Sequence, residues 1–141
     1  MEVEVVIASR SDAEDIRALN REFNGVDTPT EWIEQRVAEP GSSEVVVVAR
    51  VAGEAVGFGC LRIFSSVCYA RPVGEISEVF VSPGHRRKGI GKQIVTRLIE
   101  EGRSREISEL TVTANAKNAS GRRFYESMAF SKVDHVIYKT D

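Results

Sequence analysis

Glu78-Val-Phe-Val-Ser-Pro-Gly-His-Arg-Arg-Lys-Gly-Ile-Gly-Lys92 carries an apolar strand-like run through a glycine-rich basic turn into a helix. Pro83 and Gly84 stop the strand, which the pattern predicts over residues 74–81. Beyond the turn, Ile90, Ile94, Val95, Leu98 and Ile99 recur at helical spacing with charged residues on the opposite face, predicting a helix over 89–101. The first turn of a helix holds unpaired N–H groups and about half a positive charge. Gly89 and Gly91 remove side chains that would keep an anion from those amides, and Arg86, Arg87, Lys88 and Lys92 add cations around them. The chemistry is that of a diphosphate site. A solvated basic turn with glycine caps is the alternative, but cap glycines belong after a helix rather than before it.

Two other phosphate loops fail on these residues. A Walker A loop needs lysine where Ile90 stands after Gly84 and Gly89. A dinucleotide fingerprint needs a third glycine soon after Gly89-Ile90-Gly91, and none follows there.

Outward from the turn, strands are predicted over 4–8, 45–49, 54–64, 109–113 and 132–138. The strands at 45–49 and 54–64 form a hairpin across Ala52-Gly53, with a loop at 65–71 after them. Ser11 and Glu14 read as a capping box opening a helix with Ile16, Leu19 and Phe23 as its stripe. Thr28-Pro29-Thr30-Glu31 reads as a second box, with proline at the first helical position, opening a helix through Trp32, Ile33 and Val37. Trp32 is read as core, its other reading being a wall of the acceptor pocket. A further helix is expected over about 120–128. The order is β-α-α-β-β-β-α-β-α-β, an α/β (or α+β) fold around a mixed, mostly antiparallel sheet. Residues 74–113 form one parallel βαβ unit with a right-handed crossover.

Nineteen basic against 21 acidic residues leave a net charge of −2, which lacks the broad positive field of a nucleic-acid binder. The 141 residues fit one domain, and no apolar run approaches the ~18 residues of a membrane span. The N-terminal apolar run is too short for a signal peptide, so the expected location is the cytoplasm. Cys60 and Cys68, without further ligands for a metal, read as free thiols.

Arg86-Arg-Lys-Gly89-Ile-Gly91 resembles the [RQ]-x-x-G-x-[GA] signature of the GNAT N-acetyltransferase superfamily. Asn118-Ala-Ser-Gly-Arg-Arg-Phe-Tyr125-Glu-Ser-Met-Ala-Phe130 is similar to that family's second block, with Ala129 in place of its usual glycine. The likeness follows the whole chain in element order and is specific over residues 75–130. It implies acetyl-CoA as co-substrate and no metal. It also implies that the amides of Arg86, Arg87, Lys88, Gly89, Ile90, Gly91 and Lys92 hold the CoA diphosphate. Main-chain groups of Val79 and Val81 would pair with the pantetheine arm, and Asn118 would lie near it. A homodimer stays open, dimers being common in the family.

Transfer to a primary amine needs a neutral nucleophile, and an amine of pKa near 10.4 is neutral about once in 2,500 at pH 7. The deficit of roughly 4.6 kcal/mol calls for a base or a depressed pKa. Glu78 is the first candidate. Regular alternation would set it on one face with Ile76 and Phe80, and a bulge would reverse that; its other reading is an exposed carboxylate that attracts a cation. The resemblance places the general acid at Tyr125, whose other reading is core packing beside Phe124. Asn118 also suits an N-cap. His85 reads as a surface histidine, and a strand amide near Val79 as the oxyanion donor.

The acceptor is expected among segment 24–32, loop 65–71 and the final hairpin, with Glu22, Asp27, Glu31 and Glu34 as acidic groups suited to a cationic amine. An aminoglycoside, a polyamine, an amine metabolite and a protein amino group are all open. A CoA-binding sensor or interaction module without turnover is the alternative.

Overall fold

The computed structural model describes residues 2–140. Five strands lie in spatial order β1 (Val3–Ile7), β2 (Glu44–Val51), β3 (Glu54–Ser66), β4 (Tyr69–Val81) and β5 (Leu110–Val112). Neighbours are antiparallel except β4 and β5, which run parallel because helix α3 (Ile90–Ser104) carries the chain back between them. The expected βαβ unit is present, and the mixed sheet with it.

Helix α3 covers one face. Ile90, Ile94, Val95 and Leu98 are at most 1% exposed and meet Val47, Leu61 and Ile76. Gly59 permits this approach: a Cβ there would stand 2.5 Å from the Ile94 Cγ2. Helices α1 (Ala13–Asn24) and α2 (Thr30–Ala38) cover the other face through Ala13, Ile16 and Ile33 against Val48. Helix α4 (Ala119–Ser127) follows β5 and adds Phe124, Tyr125 and Met128 to the α3-side cluster.

The first expected capping box is displaced and the second does not form. A 3-10 turn over Arg10–Asp12 precedes α1, and Asp12 rather than Glu14 reaches back, accepting from the Ser9 amide at 2.8 Å. Asp12 also accepts from the Arg50 guanidinium at 2.6 Å, which ties the start of α1 to β2. Burial alone would raise the Asp12 carboxyl; the Ser9 amide and Arg50 outweigh it and hold the group below the ordinary carboxylate range. Helix α2 starts at Thr30, so Pro29 is its N-cap in extended conformation and not its first residue. Thr28 turns its hydroxyl to Asn20, and Arg17 donates to Thr30 and Asp27. Contacts with α1 override the local signal.

Two further expectations fail. Residues 65–71 are no open loop: β3 and β4 run on and turn tightly at Val67-Cys68. Residues 131–140 form no strand, and Val133, Val136, Ile137 and Tyr138 are 61–92% exposed. Alternation supplies a strand pattern, yet a strand needs a ladder partner, and this segment has none among the described residues.

Candidate active site

The parallel ladder between β4 and β5 is short. Gly74, Glu75 and Ile76 pair with Leu110, Thr111 and Val112, and the pairing then ends. From Ser77 to Val81 the β5 side of β4 is open. Ser82 donates its amide to the Val56 carbonyl on β3, so alternation turns the amides of Phe80 and Glu78 the same way and those of Val79 and Val81 towards the gap. The Val81 carbonyl accepts from Arg86 Nε at 2.9 Å, and the same guanidinium lies 5.6 Å from the centre of the Phe80 ring. Arg86 thus acts through its side chain as a strut for the turn.

At the end of that gap stands the turn before α3. Arg87 adopts φ 63° and Gly89 φ 80°, left-handed conformations that swing successive amides to one side. Gln93 donates to the Gly89 carbonyl as the first helical bond. No backbone or side-chain acceptor among the described residues takes the amides from Arg87 to Lys92. A Cβ on Gly89 would meet nothing within 4 Å, so the mouth is open. Lys88 and Lys92 are exposed beside it, while Ile90 contributes its amide and buries its side chain under the sheet. Donors, cations and free space fit a diphosphate.

Glu78 reaches the cleft by a bulge. Cys60 pairs with Glu78, while Leu61 pairs with Ile76, leaving Ser77 as the extra residue. Ile76 therefore packs under α3, whereas Glu78 and Phe80 face α1 and α2. This corrects the expectation of one shared face with Ile76: the extra residue re-aims the carboxylate. Asn24 donates to Glu78 Oε1 at 3.1 Å. Burial raises the Glu78 carboxyl above the ordinary range; the Asn24 bond opposes this and the Glu44 charge adds to it.

Tyr125 approaches from the other face. It belongs to the α3-side cluster, edge-on to Phe124 and Phe130 at 5.1 and 5.8 Å. Burial pushes its phenol upward, and the Glu78 charge pushes it further across the gap. The hydroxyl is thereby held protonated at neutral pH. Asn118 caps α4, its Oδ1 accepting from the Gly121 amide at 3.0 Å, so its structural role is made.

Ala129 closes α4 in a Schellman motif: Phe130 donates to the Tyr125 carbonyl and Ala129 to that of Glu126. Its φ is 68°, where an L side chain costs about 1–2 kcal/mol. Glycine relieves this but gains freedom in the unfolded chain. Ala129→Gly is accordingly expected to stabilise the protein by about 0.5–1 kcal/mol, raising Tm by about 2–4 °C in a calorimetric scan.

On the α1/α2 face, β2, β3 and β4 floor a cleft of about 250 Å³ whose walls include Asn20, Thr28 and Trp32. Thr28 and Trp32 belong to segment 24–32. Trp32 is not core: it is 56% exposed, with Arg36 5.5 Å from its ring centre. None of Glu22, Asp27, Glu31 and Glu34 lines the cleft; Asp27 is held by Arg17 and Arg21. The carboxylates that do are Glu44 and Glu78. Local pattern does not mark Glu44, whose face follows from the register of β2 with β3 and β4. His85 is half-buried with an enclosed, unpartnered Nδ1, not a surface side chain. Cys60 is buried at the cleft floor and Cys68 exposed; both are free thiols. No metal-binding cluster of His, Cys, Asp or Glu occurs among the described residues, and no helix there is long and apolar enough to cross a membrane.

Residues 13–130 match the acetyltransferase (GNAT) family model, and the chain belongs to that family. An uncharacterized N-acetyltransferase of Archaeoglobus fulgidus is 41% identical over 85 residues, covering 58% of this chain and 56% of the relative. An aminoglycoside N(6')-acetyltransferase type 1 of Salmonella typhimurium is 23% identical over 64% of this chain and 65% of its own. The matched stretch thus spans just over half to two thirds of these relatives. Among solved structures, the aminoglycoside acetyltransferase AAC(6')-Iy with a CoA bisubstrate analogue superposes with TM-score 0.87 at 18% identity, over 100% of this chain and 99% of its own. A ribosomal-protein-alanine N-acetyltransferase of Brucella melitensis biovar Abortus gives 0.81 at 23% identity, over 99% of each chain. At these identities the likeness is one of fold.

Proposed function

We propose that the protein transfers the acetyl group of acetyl-CoA directly to a primary amine of a small molecule. The observation that carries this reading is the convergence at the open end of the β4–β5 ladder. Unpartnered amides lie at one end of the gap, Glu78 lines the cleft on one face of the sheet, and Tyr125 packs on the other, near enough for the Glu78 charge to bear on its phenol. When bound, acetyl-CoA supplies an activated thioester. The amides of Arg87 to Lys92 hold its diphosphate, and Val79 and Val81 offer main-chain groups to the arm. The Val79 N–H, facing the gap, suits the developing oxyanion. Glu78 accepts the proton of the incoming ammonium, its raised pKa bringing it nearer a useful basicity. Tyr125 donates a hydrogen bond to the departing sulfur; with its pKa raised, full proton transfer is uphill and the bond itself does the stabilising.

The relatives that act on aminoglycosides support a polar, amine-bearing small acceptor for this chain as well. Steady-state release of CoA thiol over a panel of amines tests the reading. Turnover with any primary amine supports it. Acetyl-CoA binding without release from any amine overturns it in favour of a sensor module.

Glu78→Gln is expected to lower kcat/KM by about 10–100-fold. A base must be ionised, so wild-type activity falls as pH drops through the raised Glu78 pKa, above the ordinary carboxylate range. The variant should lack that acidic limb. A limb that persists unchanged would place the base elsewhere.

A further inference from the structure

Two stretches of backbone lack a partner, and each carries what the other needs. The first is the outer edge of β5. Gly74 donates to the Glu109 carbonyl, so alternation turns Glu109 and Thr111 towards β4 and the N–H and C=O groups of Leu110 and Val112 away from it. β5 ends the sheet, and no hydrogen bond among the described residues reaches those outward groups. The opposite edge is covered. The Ala8 amide donates to Val46, alternation from there turns Val5 outward, and Arg97 on α3 donates to the Val5 carbonyl at 3.1 Å.

The second stretch is residues 131–140. Ala129 turns the chain out of α4, Phe130 packs edge-on to Tyr125, and every residue from 131 to 140 is exposed. Val133, Val136, Ile137 and Tyr138, all strand-forming side chains, stand in water, and the segment makes no backbone hydrogen bond among the described residues. One antiparallel register with β5 matches both apolar and charged groups. It sets Val136 beside Val112 and Tyr138 beside Leu110, on the face where Leu110 and Val112 already adjoin the α3-side cluster. The same register brings Lys139 opposite Glu109, and neither is in an ion pair among the described residues.

We propose that residues 132–138 of a second copy add as a strand to the outer edge of β5, and reciprocally, in a twofold strand-exchanged dimer. The occupant is a second copy because one chain displays both halves, the strand and the edge. A twofold axis closes both at once and leaves neither in water. Two such strands laid on two edges bury roughly the 1,200–2,000 Å² of a stable interface. The assignment does not depend on the acetyl-transfer reading.

Sedimentation equilibrium of the full chain at about 50 μM is expected to give twice the mass of one chain. Val136→Asp changes a side chain that is 72% exposed within one copy, so it should leave the far-UV dichroism unaltered. It should raise the dissociation constant of the dimer about 100-fold or more, since each dimer would bury two carboxylates. Val67→Asp, at the exposed β3–β4 turn, is the control and should leave the mass unchanged. Thr111→Cys and Ile137→Cys, placed in separate Cys68→Ser chains, would face each other across a non-hydrogen-bonded pair with Cα atoms about 4.5 Å apart, within disulfide reach. Refolded together and oxidised, the two chains should run as a covalent pair on a non-reducing gel. With both cysteines in one chain, the product should again be the pair and not a monomer with an internal bridge. A monomer at that concentration, an open-ended assembly, a mass indifferent to Val136→Asp, or a disulfide closed within one chain or absent overturns the proposal.

Discussion

Tyr125→Phe is expected to lower kcat by about 10²–10³-fold while leaving the dissociation constant of acetyl-CoA within about two-fold. The ring is half-buried between Phe124 and Phe130, and phenylalanine keeps both edge-on contacts and the C-terminal end of α4. What is lost is one hydroxyl, held in the protonated form by burial and by the Glu78 charge. A phenol that only filled space would yield a variant with unaltered turnover. A phenol that donates to sulfur stabilises charge appearing on the way to the transition state and not in the bound ground state, so its removal appears in kcat. Steady-state rates with calorimetric CoA affinities separate the outcomes. An unchanged kcat removes the acid role; a large loss of CoA affinity would make Tyr125 a binding residue.

Gly89→Val should weaken acetyl-CoA binding by about 100-fold or more, through two effects of one substitution. At φ 80° a β-branched side chain is strained by about 2 kcal/mol in the folded state. Its Cβ also projects into space that no protein atom occupies within 4 Å, in front of the unpartnered amides of the first helical turn. Gly89→Ala resolves the two. Both variants lose folding stability, whereas the larger loss of affinity belongs to valine, whose branches block the phosphates. Equal affinity in wild type and Gly89→Val would move the diphosphate away from this turn.

The parts legible in the sequence are those decided by residues near one another in the chain. Ile90, Ile94, Val95 and Leu98 announce a helix laid on a sheet, and their burial under α3 follows directly. Pro83 ends a strand, and Gly89 and Gly91 precede the helix where an anion needs room. Register lies outside local pattern. Ser77 becomes a bulge because β3 pairs Cys60 with Glu78 and Leu61 with Ile76, and only that pairing aims the carboxylate at the cleft. Glu44 lines the cleft for a like reason, being two strands from Glu78 and 34 positions away in sequence. Segment 24–32, expected to serve the acceptor, supplies Thr28 and Trp32 to the cleft, while its acids Asp27 and Glu31 do not line it. Arg17, ten residues before Asp27 and thirteen before Thr30, engages both and decides where α2 begins. The strand expected at 132–138 shows the opposite limit: alternation is a necessary sign of a strand, but pairing is a property of the sheet.

The central claim is that the open amides before α3 grip a diphosphate and so direct a thioester along the β4–β5 gap. An amide-resolved NMR titration with acetyl-CoA tests it most directly. Saturable shifts should be largest for Arg87 through Lys92, with Val79 and Val81 next and β1 unaffected. Saturation that leaves those amides in place, or no response at millimolar acetyl-CoA, would contradict the account.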